Sequence, residues 1–246
     1  MDKLSTEFKT FHNGHQALAV RTNGNIPPNQ IVRALRLPHY SALLMISGGA
    51  GGMLTEVFVR LVSLFDEIGQ TVSKNNIAVV DGGTQSGVMK LMGQALAKSG
   101  RTTAHVGVVP AYAEAGNGLV AQDILEPNHS GFVLVNGHQW GDEVETMYSL
   151  AAYMSENVPS VTILVNGGGI SLLEIEWNVR QGREIVVIAG SGRLADEIAD
   201  AVRHPNSNIR ERVEAVVRDG RLTLFDISDP PASLIHILEQ RLLLQR

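Results

Sequence analysis

From residue 43 onward the chain repeats one unit: a short continuous apolar run, a turn rich in Gly, Asn or Asp, and a longer segment with helical spacing. The apolar runs fall at 43–47, 77–81, 105–109, 132–135, 161–165 and 185–188, with a weaker one at 222–225. Helical spacing covers 54–73, 88–98, 142–157, 171–181, 193–202 and 232–244, and another helical segment follows the polar break His204-Pro205-Asn206-Ser207-Asn208. Runs without polar alternation belong to strands buried on both faces, and alternation with helices gives a parallel sheet covered on both sides. The expected fold is therefore α/β, a doubly wound Rossmann-like parallel sheet with helices on both faces. Residues 1–40 break the pattern. A β-like stretch at 17–22, followed by the turn residues Asn23-Gly24-Asn25 and Pro27-Pro28, reads as a hairpin on the sheet edge. The expected organisation is an N-terminal extension over 1–40 packed on a Rossmann-like core over 41–246.

Composition narrows the partners. With 18% charged residues, a net charge of −5 and scattered Lys and Arg, the chain lacks the basic footprint of a nucleic-acid binder. It has no cysteine, which removes disulfides, thiolate metal sites and cysteine nucleophiles. The eight histidines show no zinc-like spacing, so no bound metal is expected. No run approaches the roughly 18 apolar residues of a membrane span, and no apolar signal segment follows the charged residues at 1–10. A cytoplasmic protein with no membrane and no nucleic-acid partner is the expectation.

In a doubly wound sheet the ligand lies outside the carboxyl ends of the strands, where the strand-to-helix turns meet. Four of these turns are glycine-rich: Ser47-Gly48-Gly49-Ala50-Gly51-Gly52, Asp81-Gly82-Gly83-Thr84-Gln85-Ser86-Gly87, Asn166-Gly167-Gly168-Gly169-Ile170-Ser171 and Gly190-Ser191-Gly192-Arg193. Backbone without a Cβ lets a phosphate approach the N–H groups, and the helix that follows offers free N–H groups and a favourable dipole. The negative net charge is no obstacle, since these groups attract an anion without Lys or Arg. None of the turns carries the G-x-G-x-x-G fingerprint with its later acid, or the Lys-Ser/Thr ending of a P-loop. A plain dehydrogenase or ATPase is thereby disfavoured.

Three segments carry a family resemblance: Asp81-Gly82-Gly83-Thr84-Gln85-Ser86-Gly87-Val88-Met89, Leu125-Glu126-Pro127-Asn128-His129-Ser130-Gly131-Phe132-Val133-Leu134-Val135, and Gly190-Ser191-Gly192-Arg193-Leu194-Ala195-Asp196. In this order they resemble the SLOG-type domain of the N-terminal region of TRPM channels and its prokaryotic, free-standing LSDAT relatives. The resemblance implies a Rossmann-like domain that senses nucleotide-derived ligands, with ADP-ribose, NAD or a related nucleotide leading and no cofactor required. More distantly, Asn166-Gly167-Gly168-Gly169-Ile170-Ser171-Leu172-Leu173-Glu174 resembles the P-G-G-x-G-T-x-x-E motif of the lonely-guy phosphoribohydrolases. Here Asn166 replaces the proline and Ile170 the last glycine. Met147-Tyr148-Ser149-Leu150-Ala151 stands where that family has M-H-x-R-K, so the cationic pair is missing.

The candidate ligand-binding set is Gly48, Gly49, Gly82, Gly83, Thr84, Ser86, Gly87, Asn128, His129, Gly167, Gly168, Gly169, Ser171, Glu174, Ser191, Gly192 and Arg193. Arg193 at a helix start suits a bidentate grip on a pyrophosphate, against a rival salt bridge with Asp196. Trp140 suits stacking on a base, against half-buried packing. His129 suits a ribose or phosphate contact, against pinning its own loop. Glu174 reads equally as a ligand contact or as a helix-start acid stabilised by the dipole, Glu176 reads rather as such a helix-start acid, and Asp142 and Glu143 also sit at a helix start. The leading reading is a ligand sensor, whose output would come through a homodimer or a separate effector protein. The rival is a nucleotide N-glycosidase with Glu174 as its catalytic acid, and the third reading is a structural module whose glycines only turn the chain.

Overall fold

A computed structural model describes residues 4–49, 53–111, 124–205 and 209–244. Ala50, Gly51 and Gly52 of the first glycine turn and Asn206, Ser207 and Asn208 of the polar break lie outside the described residues. The strands are β1 (Ser5–Thr10), β2 (Gln16–Thr22), β3 (Ala42–Gly48), β4 (Ile77–Asp81), β5 (His105–Pro110), β6 (Gly131–Val135), β7 (Ser160–Val165), β8 (Glu184–Ala189) and β9 (Arg221–Asp226). The helices are α1 (Pro28–Leu35), α2 (Thr55–Lys74), α3 (Gly87–Lys98), α4 (Val144–Met154), α5 (Gly169–Arg180), α6 (Arg193–Arg203), α7 (Glu211–Asp219) and α8 (Pro231–Leu242).

The strands form one sheet in the order β1-β2-β6-β5-β4-β3-β7-β8-β9. All neighbours pair in parallel except β1, which closes an antiparallel hairpin with β2 on the edge. The inner parallel strands β3 to β8 are buried along nearly their whole length, as their continuous apolar character requires, while β9 at the edge is mostly half-buried. Alternate residues of each strand then pack against different helices. Leu44, Ile46, Val79, Ile163 and Ile188 join Phe65 and Ile68 of α2, Leu91 and Met92 of α3 and Leu234 and Leu238 of α8. Their neighbours on the opposite face, Leu43, Met45, Val80 and Val106, join Ile31 and Leu35 of α1 and Met147 and Leu150 of α4, while Ile185 and Val187 meet Ile198 of α6 and Val213 of α7.

Two departures from the sequence reading concern ends and turns. Pro27-Pro28 does not only turn the chain: Pro28 sits in the first turn of α1, where its missing N–H costs nothing and its fixed φ suits the helix. Ile31 and Leu35 then bury one face of that helix against the sheet. Helix α4 is also shorter than the periodicity at 142–157 suggests, because Gly141 to Glu143 form a turn before it.

The chain order sets the switch point. From β3 the chain runs outward through β4, β5 and β6, then returns to the other side of β3 as β7 and continues to β8 and β9. Between β3 and β7 successive connections leave in opposite directions, and a crevice opens at their carboxyl ends. The two strands approach closely there. Gly48 holds φ +151°, and a Cβ on it would stand 2.1 Å from the carbonyl oxygen of Val165. Neither backbone can yield to such a contact cheaply. Gly48→Ala is expected to destabilise the protein by about 1–3 kcal/mol or more, read as a lower urea midpoint at unchanged slope.

Candidate functional site

A cleft of about 380 Å³ occupies this switch point. Ile46 and Gly48 come from β3; Gly82, Thr84, Gln85 and Ser86 from the turn after β4; Met89 from α3; Trp140 and Glu143 from the segment before α4; and Ile170, Ser171 and Glu174 from α5, with Ile124 completing the wall. Helices α3 and α5 both begin at this cleft and neither has a side-chain cap. Their first-turn N–H groups and dipole ends therefore remain suited to an anion. The hydroxyls of Thr84 and Ser86 lie 3.2 Å apart beside the start of α3. No Lys, Arg or His lines the cleft among the described residues.

Two carboxyl groups face this space. Glu174 lies in the second turn of α5, too far from its start to cap it, and it accepts a hydrogen bond from the Ser47 hydroxyl at the end of β3. Burial pushes its pKa up, and the charges of Glu143 and Asp81 push further against the opposing effect of the Ser47 bond, to about 8. Glu174 is consequently a neutral acid at pH 7. Burial also raises Glu143, whose carboxylate accepts the Gly141 N–H at 2.7 Å. The reading of Glu176 as a capping acid does not hold: on the far side of α5 it takes a two-pronged bond from Arg212 of α7, at 2.6 and 2.8 Å. Asp142 receives the backbone N–H groups of His138 and Gln139, shaping the Trp140 turn.

Of the sequence candidates, Gly48, Gly82, Thr84, Ser86, Ser171 and Glu174 meet in the cleft. Gly49, Gly83, Gly87, Gly167, Gly168 and Gly169 belong to the same turns without lining it. The turn after β8 stands behind the others. Ser191 is buried, donates to the Ile188 carbonyl and accepts the Asn166 N–H at 2.8 Å. The N–H groups of Leu194 and Ala195 at the start of α6 reach the carbonyls of Gly167 and Asn166. That helix end is thus capped by the turn after β7. Gly192 sits against the Asn166 amide, and the Arg193 guanidinium lies against Gly168, with Nη2 2.8 Å from where a Cβ would be. Asp196 accepts the Gly190 N–H at 2.6 Å.

His129 is the candidate that the fold places most differently. It is fully buried, and both ring nitrogens are engaged: Nε2 with Asp81 Oδ1 at 2.8 Å and Nδ1 with Glu126 Oε2 at 3.0 Å. Asn128 supports this arrangement by donating its backbone and side-chain N–H groups to Glu126. His105 of β5 meets the other Asp81 oxygen at 2.8 Å, and its ring stacks on that of His129 at 3.5 Å between centroids. Asp81, His105 and His129 are spaced closely enough to hold a metal ion. The two Nε2 atoms, however, each meet a separate oxygen of one carboxylate at 2.8 Å. At that distance they are hydrogen-bonded to the carboxylate as two N–H donors on its two oxygens. Sequence spacing did not reveal the cluster, because its members come from β4, β5 and the turn before β6. Ile46, Met89 and Ile124 of the cleft, and Ser47 buried behind Glu174, were missed for the same reason: bland types carry no signal until the fold brings them together.

The family described as SLOG in TRPM, prokaryote, matches residues 41–236. The chain belongs to this family. Membership marks this SLOG chain as a nucleotide-related ligand-binding domain. It is similar to transient receptor potential cation channel subfamily M member 2 of Mus musculus, 28% identical over 229 residues, which cover 74% of this chain and 15% of the channel. The same channel of Rattus norvegicus is 29% identical over 211 residues, covering 69% of this chain and 14% of the channel. The SLOG chain thus spans about one seventh of these relatives' length. No helix among its described residues is long and apolar enough to cross a membrane.

Proposed function

We propose that the switch-point cleft binds a nucleotide-derived, phosphate-bearing ligand of the ADP-ribose or NAD class, and that the domain acts as its sensor in the cytoplasm. The observation that carries this reading is the convergence of two uncapped helix starts, α3 and α5, on one cleft in a chain of this family. Phosphates lie over the turns at 82–87 and 167–171, held by backbone N–H groups and by Thr84, Ser86 and Ser171. Glu174 and Glu143 repel an anion when ionised, so the ribose hydroxyls or base amines face them as donors, and Trp140 offers a stacking surface. Arg193 acts through Gly168, keeping the second phosphate turn in place. Output passes through a homodimer or a separate effector protein.

A second reading rests on Glu174. A carboxyl that stays protonated to about pH 8 is suited to protonate a departing base, the step a lonely-guy-type N-glycosidase requires. Against it, Leu150 and Ala151, at the place of that family's Arg and Lys, are fully buried in the core. No phosphate clamp can be rebuilt from them.

Thermal unfolding with ADP-ribose, cyclic ADP-ribose, NAD and AMP, followed by chromatography of each mixture, separates the readings. Ligand at a hundred times its Kd stabilises the fold by about 2.7 kcal/mol, a rise on the order of 5 °C for this length. A rise without products is the expected result. Products formed with turnover establish the glycosidase, and no rise with any of the four removes this ligand class.

A further inference from the structure

At the opposite end of the sheet, where β7, β8 and β9 begin, a second cleft of about 410 Å³ lies between strand starts and helix ends. Its charged lining is three arginines, Arg183, Arg221 and Arg241, against the single carboxylate of Glu184. In a chain with a net charge of −5 this local excess of positive charge runs against the composition.

The three guanidinium groups are differently placed. Arg241 of α8 bonds Glu184 Oε1, and Arg221 stands 3.7 Å from Glu184 Oε2 while donating to the Gly182 carbonyl at 3.3 Å. Glu184 also accepts the Thr223 hydroxyl, so its lone pairs are shared among several donors. Arg183 is only 5% exposed, and its donors reach neutral acceptors alone: Ser160 Oγ at 3.1 Å, Asn178 Oδ1 at 3.0 Å and Ser155 Oγ at 3.4 Å. Ser155 and Ser160 line the cleft with it. A buried cation without a counter-ion is costly, and an anion entering the cleft would relieve that cost. Fork-shaped guanidinium donors match the oxygens of a tetrahedral oxyanion.

We propose that this cleft is a second ligand site, for a small phosphate-type oxyanion, with Arg183 at its floor and Arg221 and Arg241 as its walls. It lies at the sheet edge remote from the nucleotide cleft and does not depend on what that cleft binds. The anion is either free phosphate or the phosphate of a small phosphorylated sugar, and the cleft has room for both.

The test is isothermal titration of the whole chain with inorganic phosphate and with ribose 5-phosphate, each against sodium chloride at equal ionic strength. Arg221→Gln and Arg241→Gln, singly and combined, alter side chains at the mouth and spare the buried Arg183, and circular dichroism checks their fold. Phosphate is expected to bind the native chain beyond any chloride effect, and the combined variant to weaken it about tenfold or more. Tighter binding of ribose 5-phosphate identifies a sugar phosphate as the ligand, and equal binding identifies the bare ion. No binding beyond chloride overturns the proposal. So does undiminished binding by the combined variant, which would place the anion elsewhere, including over the starts of α3 and α5.

Discussion

Asp81→Asn is expected to lower the unfolding free energy at pH 7 by about 3–5 kcal/mol, the cost of removing one partner from a buried ion pair. Asp81 is fully buried at the end of β4 and receives three donors, the Nε2 groups of His105 and His129 and the Gly83 N–H at 2.7 Å. Burial by itself would raise its pKa, but the charge of His129 and the bonds from both rings hold the carboxyl well below the usual range. Burial likewise works against a charged His129, yet the charge and bond of Asp81, followed by those of Glu126, raise it to about 9. His105 goes the other way, since burial and the neighbouring imidazolium lower it. One ring is therefore charged and the other neutral, donating through Nε2 and leaving a bare Nδ1 that has no partner. An asparagine at position 81 would remove the counter-charge and turn an amide N–H toward a ring donor.

The pH dependence follows with a definite sign. His129 has a folded pKa above its ordinary 6.5, so its contribution is complete below 6.5 and is lost as pH rises through about 9. Asp81 is depressed, so its contribution is present above its ordinary 3.8 and is lost as the solution is acidified below that. Urea midpoints measured across this range should fall at both ends in the native chain, and above about pH 8, where the Glu174 penalty has levelled off, the remaining alkaline fall should be lost in Asp81→Asn. A variant within 1 kcal/mol of the native stability, a spread typical of surface substitutions, would show that the network is ornamental.

How far the sequence reaches is seen in particular elements. The run 77–81 coincides with β4, and the other core strands differ from their apolar runs by one residue at one or both ends, because strands buried on both faces are apolar nearly throughout. Helix α1 escaped because Pro27-Pro28 punctuates turns as readily as it opens helices, and only the burial of Ile31 and Leu35 decides between them. In the cleft, glycine turns and Glu174 were legible since their types are unusual where they stand. Their partners were not. Ser47 is 127 positions from Glu174, and Asp81 is 48 from His129, distances at which only the strand order makes contacts. The same limit hid Arg183, an ordinary residue in sequence whose distinction is its surroundings.

Glu174 controls the second large effect, in which stability and binding move apart. A carboxyl raised to about 8 binds its proton more tightly in the folded state, so between its ordinary 4.5 and 8 the folded state loses stability as pH rises, and above 8 the penalty is constant. Glu174→Gln removes the ionisable group and keeps a partner for Ser47, and should stabilise the chain at pH 8 by on the order of 1–3 kcal/mol. For a phosphate-bearing ligand in the proposed cleft, the neutral acid is the tolerant form. Ionisation would set Glu174 against both Glu143 and the phosphates, so affinity should fall up to about tenfold per pH unit above 8. Calorimetric titration with ADP-ribose over roughly pH 6 to 9.5 reads this directly, the range spanning the raised pKa by more than a unit on either side. In Glu174→Gln the affinity should persist and the alkaline fall disappear. An unchanged alkaline fall in the variant would assign the titration to another group, and loss of binding at every pH would show that the carboxyl itself holds the ligand.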